Sequence, residues 1–227
     1  ILPEQMNLPM GGDVNFGKVY VADYVNYAVK IYDQETGELD SVIGGVTTIP
    51  GVGTLPNPYI TGVGCVLPTD VVAKSETEIF ILDWKPDFSG GRIQKWIKVG
   101  DVWQYNESLQ IGTLLNMPNS FYGIPMFFPF RAEGKTVDGK FYLYVTDRTI
   151  NMITKIDVEA KEVVAHYSSP YTPFVPGEVV SNYKGLGVHP FLPLVHMTDY
   201  TRSQVLAFDL NLNPIVDKFI GVLDGEG

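Results

Sequence analysis

Hydrophobic and polar positions alternate with period two over short stretches of this chain, and the stretches come in pairs. In "KVYVADYVNYAVKIYD" (18–33) an alternating run ends at Asp23, a polar break follows, and a second run ends at Asp33. The arrangement returns in "YLYVTDRTINMITKID" (142–157) and "LVHMTDYTRSQVLAFD" (194–209), with the second Asp ten residues after the first each time. A fourth copy, "EIFILDWKPDFSGGRIQKWI" (78–97), keeps the first Asp as Asp83 and carries four extra residues in its break. Ile93 then stands where the others have Val29, Ile153 and Val205, and Ile97 takes the place of the second Asp. Alternation on both sides of a break marks an antiparallel hairpin with one face buried. Each copy is therefore predicted to be two strands joined by a turn.

Turn formers and a further strand follow each pair, as in "QETGELDSVIG", "VEAKEVVAHY" and "LNLNPIVDKFIG", where Thr36-Gly37 and Asn213-Pro214 supply turns. A Pro and a short apolar strand precede most copies: "LPMGGDVN" (8–15), "LPTDVVAK" (67–74) and "MPNSFYGI" (117–124). Four strands per unit, repeated along the chain, predict an all-β fold: a β-propeller of four-stranded antiparallel blades, about four blades in this chain. The expected organisation is a single domain over 1–227, with units at roughly 8–45, 65–112, 117–168 and 178–223.

The order of Pro, short strand, "VYVAD", a second strand ending in Asp and a terminal "IG" resembles the NHL-repeat type of propeller blade, over about four units from Leu8 to Gly221. The resemblance implies a propeller and no particular activity. The first aspartates stand 60, 64 and 52 residues apart, against about 40 to 45 for a compact blade, so long loops are expected between units. "VTTIPGVGTLPNPYITGVG" (46–64) carries no charge, while "PMFFPF" (125–130) and "SPYTPFVPGE" (169–178) set Pro among aromatics. Pro lacks the backbone donor and fixes φ, which excludes regular helix and central strand there. Two roles stay open for these segments: covering a blade face, or docking a protein partner or a second copy. The candidate docking residues are Phe127, Phe128, Phe130, Tyr171 and Phe174.

Asp23, Asp83, Asp147 and Asp199 recur at one place in every unit, as a structural role requires; a catalytic group is needed in one or two units only. Each is expected to accept backbone N–H bonds from the turn that follows it, with a ring of carboxylates around a cation as the alternative. Among NHL-like propellers the peptide-amidating lyases resemble this chain most, and they place zinc-ligating His after the Pro that opens the innermost strand. Here Met10, Thr69 and Asn119 hold those positions and His189 lies further along in "GLGVHP", so the lyase chemistry does not carry over. His166 is expected in an outer strand as an ordinary surface or packed residue, and no HExxH or paired His spacing occurs. Asp13, Asn15, Asp70 and Asn119 fall near innermost strands and keep a rival from another class, a calcium-dependent hydrolase similar to the lactonase propellers. GxSxG, Walker A, dinucleotide, EF-hand and haem motifs are missing. No catalytic residue, metal ligand or cofactor is assigned.

Composition narrows the partners. Of 227 residues 45% are apolar and 19% charged, with Gly (23), Pro (16), Tyr (13) and Phe (12) plentiful, which suits short strands and tight turns and leaves little helix. A net charge of −10 without a Lys/Arg cluster argues against nucleic acid. The single Cys65 excludes an intrachain disulfide and a multi-thiolate zinc site and is expected in the core. No apolar run approaches the roughly 18 residues of a membrane span. The chain begins at Ile1 without a leader pattern, which fits a mature form or an excised piece; few Lys, many aromatics and the acidic balance point to an extracellular or periplasmic protein. Asn106-Glu107-Ser108 is a possible glycosylation site. The function expected from all this is a non-catalytic module for protein interaction or structural assembly, self-associating through its Pro/aromatic loops. The ring is expected to close within one chain, the alternative being an open arc whose end blades pair with other chains.

Overall fold

The structure, a computed structural model, describes residues 5–49, 53–56, 64–84, 90–109, 129–147, 152–168, 183–199, 203–218 and 220–221. The chain divides into two compact units, Ile1–Gln110 and Ile111–Gly227. The first holds two four-stranded antiparallel sheets. One is formed by β1 (Pro9–Asn15), β2 (Lys18–Asp23), β3 (Ala28–Asp33) and β4 (Leu39–Gly44) in chain order. A small hairpin, β5 (Val46–Ile49) with β6 (Gly53–Pro56), stands apart from it. The other sheet is formed by β7 (Asp70–Ser75), β8 (Glu78–Trp84), β9 (Gly91–Val99) and β10 (Val102–Leu109).

The second unit repeats the plan with β11 (Pro129–Val137), β12 (Lys140–Asp147), β13 (Met152–Asp157) and β14 (Glu162–Ser168), followed by β15 (Tyr183–Val188), β16 (Val195–Asp199), β17 (Gln204–Phe208) and β18 (Ile220–Gly221). The described residues contain no α-helix, only a 3-10 turn at Val216–Lys218. No helix among them is long and apolar enough to cross a membrane.

The cross-strand register follows the repeat. Ala22 faces Val29, Leu82 faces Ile93, Thr146 faces Ile153 and Thr198 faces Val205. The four extra residues of the second copy are thus absorbed in its β8–β9 turn. Two expected elements differ. The third sheet opens with β11 at Pro129–Val137, whereas the Pro-plus-apolar pattern pointed to 117–124, which lies outside the described residues. The uncharged 46–64 segment contains the β5–β6 hairpin, in which Thr47 faces Leu55 and Thr48 faces Thr54. β-Branched "VTTI" favours a strand, and Pro56 is tolerated because it ends an edge strand.

Each unit buries its core between its two sheets. In the first, Tyr20, Val29, Ile31 and Ile43 meet Val71, Ile79, Ile81 and Trp96, with Cys65 fully buried among them. The first strands of these two sheets run so close that a Cβ on Gly11 would lie 2.7 Å from the Thr69 carbonyl oxygen, and the Asp13 carboxylate accepts the Ala73 N–H at 2.8 Å. In the second unit Tyr144 and Ile153 meet Val195, Met197, Leu206 and Phe208. The Tyr167 and Phe208 rings lie 4.8 Å apart.

The second Asp of each pair closes the turn into the fourth strand. Asp33 accepts the N–H groups of Glu35 and Thr36, both at 3.0 Å; Asp157 accepts Glu159 at 3.1 Å and Ala160 at 3.0 Å; Asp209 accepts Asn211 at 2.7 Å and Asn213 at 3.0 Å. Such side-chain capping substitutes for backbone turn bonds. The second sheet has Ile97 at this place and needs no Asp, because its turn is the two-residue Gly100-Asp101, with Gly100 at a φ of 61°. The Ala160 N–H holds the Asp157 carboxyl below its ordinary value against the effect of burial, with Lys140 helping at 3.3 Å. A carboxyl lowered by folding contributes fully above its unfolded value of about 4 and loses that contribution as the pH falls through the folded value. Asp157→Asn is therefore expected to be less stable than the natural chain at pH 7, with the gap narrowing as the pH drops below about 4. Urea unfolding at a series of pH values checks this; a gap equally wide in acid contradicts it.

Candidate functional site

The first Asp of each four-stranded sheet is the last residue of its second strand, or in β8 the last but one, and all four are buried: Asp23, Asp83 and Asp147 show 0% exposure and Asp199 shows 1%. A carboxylate removed from water must be paired or heavily hydrogen-bonded. Asp83 accepts the Val66 N–H at 2.9 Å, the Leu67 N–H at 2.7 Å, Gln94 Nε2 at 2.8 Å and an Arg92 guanidinium nitrogen at 2.8 Å. Asp23 accepts the Asn7 N–H at 2.8 Å and Asn26 Nδ2 at 2.7 Å, and pairs with Lys30 Nζ at 2.8 Å. The backbone donors seen here belong to the segment entering the sheet, 16 or 17 residues upstream, where the sequence pattern placed them in the turn that follows. Burial raises the Asp83 carboxyl above its ordinary value, and the Arg92 guanidinium pulls it back down.

Lys30, Arg92 and Gln94 are partners that the repeat of aspartates does not mark. Their signal was present: "AVKIYD" and "GRIQKWI" set long polar side chains inside otherwise apolar strands. Lys30 is 3% exposed, Gln94 is fully buried, and both lie on the strand beside their aspartate.

The other candidates are scattered. Phe130 lies within β11 and is buried, with the Arg131 guanidinium 4.4 Å from its ring centroid. Phe127, Phe128, Tyr171 and Phe174 lie outside the described residues, as does Asn119. Asn106 is exposed on β10, at a bulge in the pairing with β9. Met10 is in β1, and Thr69 precedes β7 and is buried. Asp13 is tied to the Ala73 N–H and Asp70 to the Val71 N–H, while exposed Asn15 accepts from Phe16. Among the described residues no three His, Cys, Asp or Glu side chains are grouped to hold a metal ion. His166 is exposed on β14. His189 accepts the Phe191 and Leu192 N–H groups on Nδ1 at 3.1 and 2.9 Å, and so fixes the β15–β16 turn. That turn presents Phe191 at 90% exposure. The stretch "HPFLPL" (189–194) mixes Pro and an aromatic like the longer loops, and that composition is its signal in the sequence.

No protein-family model matches the chain, and no curated protein matches it. Solved structures do. The β-propeller domain of Cps50 (Swd1) from Myceliophteria thermophila is similar at a TM-score of 0.60 and 8% identity, over 95% of this chain and 59% of that one. Hydrazine synthase from Kuenenia stuttgartiensis gives 0.54 and 13%, over 92% and 49%; the Dos1 propeller gives 0.51 and 11%, over 88% and 44%. These likenesses show the fold: the chain is a β-propeller protein, and its four sheets are blades. It spans about half the length of the proteins it matches.

The buried carboxylates are expected to act as structural ties. Asp83→Ala strands two backbone donors and a guanidinium, and is expected to cost about 3–5 kcal/mol, as for one partner removed from a buried pair. Urea unfolding measures it, and a loss under about 1 kcal/mol, the size of an ordinary substitution, would show that Asp83 holds nothing.

Proposed function

We propose that this chain is a non-catalytic propeller module of the NHL-repeat kind, working outside the cell through protein contacts and joining copies of itself through its Pro/aromatic segments. One observation carries this. The acidic residues that recur from unit to unit are spent on structure wherever their bonds are seen: Asp23 and Asp83 tie the incoming chain, and Asp33, Asp157 and Asp209 close turns. The repeat thus builds a scaffold, and what remains for function is surface.

That surface offers rigid apolar contacts. Phe191 stands 90% exposed beside Leu192 at 48%, on a turn fixed by His189. Aromatic anchors on a preset backbone lose little entropy on docking. Their kinship with "PMFFPF" and "SPYTPFVPGE" is one of composition: Pro alternating with Phe, Tyr or Leu. The exposed Asn106 fits a protein of a glycosylating compartment.

Sedimentation velocity over a range of concentrations tests the proposal. The natural chain is expected to form dimers or larger species, and Phe191→Ser or the pair Phe127→Ser and Phe128→Ser to weaken association by about tenfold, equivalent to 1.4 kcal/mol. Phe191→Ser, at an exposed site, should change stability by no more than about 0.5 kcal/mol. A natural chain that stays monomeric throughout overturns self-association, and turnover of a lactone by the purified chain overturns the non-catalytic assignment.

A further inference from the structure

We propose that the cleft between the turn ends of the first unit's two sheets is a binding site for an aliphatic ammonium group. The cleft encloses about 290 Å³, at the small end of the roughly 300–1,000 Å³ usual for ligand pockets. Tyr20, Ile31 and Trp103 line its inner part, and Glu76 and Asp101 stand at two of its bordering turns.

The second unit is built on the same plan and shows what fills such a cleft. Tyr20 faces Ile31 across β2 and β3, and Tyr144 faces Lys155 across β12 and β13, at matching distances before the paired aspartates. Lys155 Nζ lies 4.2 Å from the Tyr142 ring centroid and 5.9 Å from that of Tyr144, and donates to Asn211 Oδ1 at 3.3 Å. The Tyr144 hydroxyl donates to the Leu210 carbonyl at 2.9 Å. There the chain plugs its own cleft with an ammonium on aromatic rings, an arrangement favoured by the negative face of the ring.

In the first unit the plug is missing. Ile31 replaces the lysine, and the tight Gly100-Asp101 turn replaces the longer turn that carries Asn211. Tyr20 is 1% exposed, and its hydroxyl makes no hydrogen bond to another described residue. The Trp103 indole N–H is buried without a partner among the described residues, but being a donor only it offers an ammonium no hydrogen bond. The Tyr20 hydroxyl, whose counterpart Tyr144 is bonded to Leu210, thus keeps its lone pairs open to a donor, and an ammonium is a donor with no acceptor of its own.

Charge decides what arrives. Lys18 is occupied by Asp33 at 3.2 Å and Asp40 at 3.0 Å, and Lys98 approaches Asp40 at 3.9 Å. Glu76 and Asp101 make no ion pair with a described residue. The lining carries three carboxylates against two ammonium groups, on a chain of net charge −10, so the cleft is matched to a cation. An anion would meet the two unpaired carboxylates.

Titration of the intact chain, followed by calorimetry, tests this with butylamine, 1,5-diaminopentane and Nα-acetyl-lysine methylamide, against butanol and methyl glucoside. The amines are expected to saturate with dissociation constants below about 10 mM, and the neutral compounds to bind at least about tenfold more weakly. Glu76→Gln with Asp101→Asn, both exposed positions, should weaken the amines about tenfold at unchanged melting temperature. Ile31→Lys should abolish binding by supplying the chain's own plug; the carboxylate pair decides if that variant does not fold. Tighter binding of the lysine mimic assigns the site to a protein's lysine side chain, and tighter binding of the diamine to a free amine; either result supports the site. No saturation by any amine, equal binding of butanol or methyl glucoside, or no change in the carboxylate variant overturns it.

Discussion

A carboxylate shut away from water, and satisfied by the chain that enters its sheet, is the interaction on which the blades of the first unit depend. Asp83 gathers two backbone N–H groups, an amide and a guanidinium; Asp23 gathers one backbone N–H, an amide and an ammonium. Four-stranded meanders bury apolar faces on their neighbours, but with Cys65 as the single cysteine no disulfide fastens one strand to another. The tie fastens the segment before the first strand to the end of the second, so the first hairpin cannot open without exposing a charge. Because desolvation makes such a charge unfavourable alone, the arrangement tolerates no half-made version.

The repeat was legible because the polypeptide punctuates itself. Period-two alternation located the paired strands, and the ten-residue spacing of aspartates set their register, including the four-residue insertion that brings Ile93 opposite Leu82. The third sheet's opening strand was missed because "PFRAEGKTV" is polar at many positions and contains Gly, while "MPNSFYGI" matched the pattern better. The direction of the aspartate bonds was hidden for a different reason: their donors lie 16 or 17 residues away in sequence, and only folding brings them together. The second aspartates were counted without a role, although an Asp followed two or three residues later by free turn N–H groups is a recognisable local motif.

The ammonium cleft illustrates what a repeat conceals. Ile31 and Lys155 occupy one register position, and each reads as an ordinary strand residue. Their difference matters only across two packed sheets, where Lys155 reaches Tyr142 and Asn211 and Ile31 leaves room. Function in such a fold resides in departures from the repeat, since its regular features are committed to structure. The exposed turn at Phe191 is another such departure, built by a histidine that has taken a capping role.

Amide hydrogen exchange on the natural chain tests the tie most directly. Asn7, Val66 and Leu67 lie outside every strand, yet their N–H groups are bonded to buried carboxylates. They are predicted to exchange as slowly as the central-strand amides of Ile81 and Ile93, because releasing them requires opening the sheet. Exchange at the rate of an open loop, with the strand amides still protected, would show that the sheets stand without the carboxylates and would contradict the account.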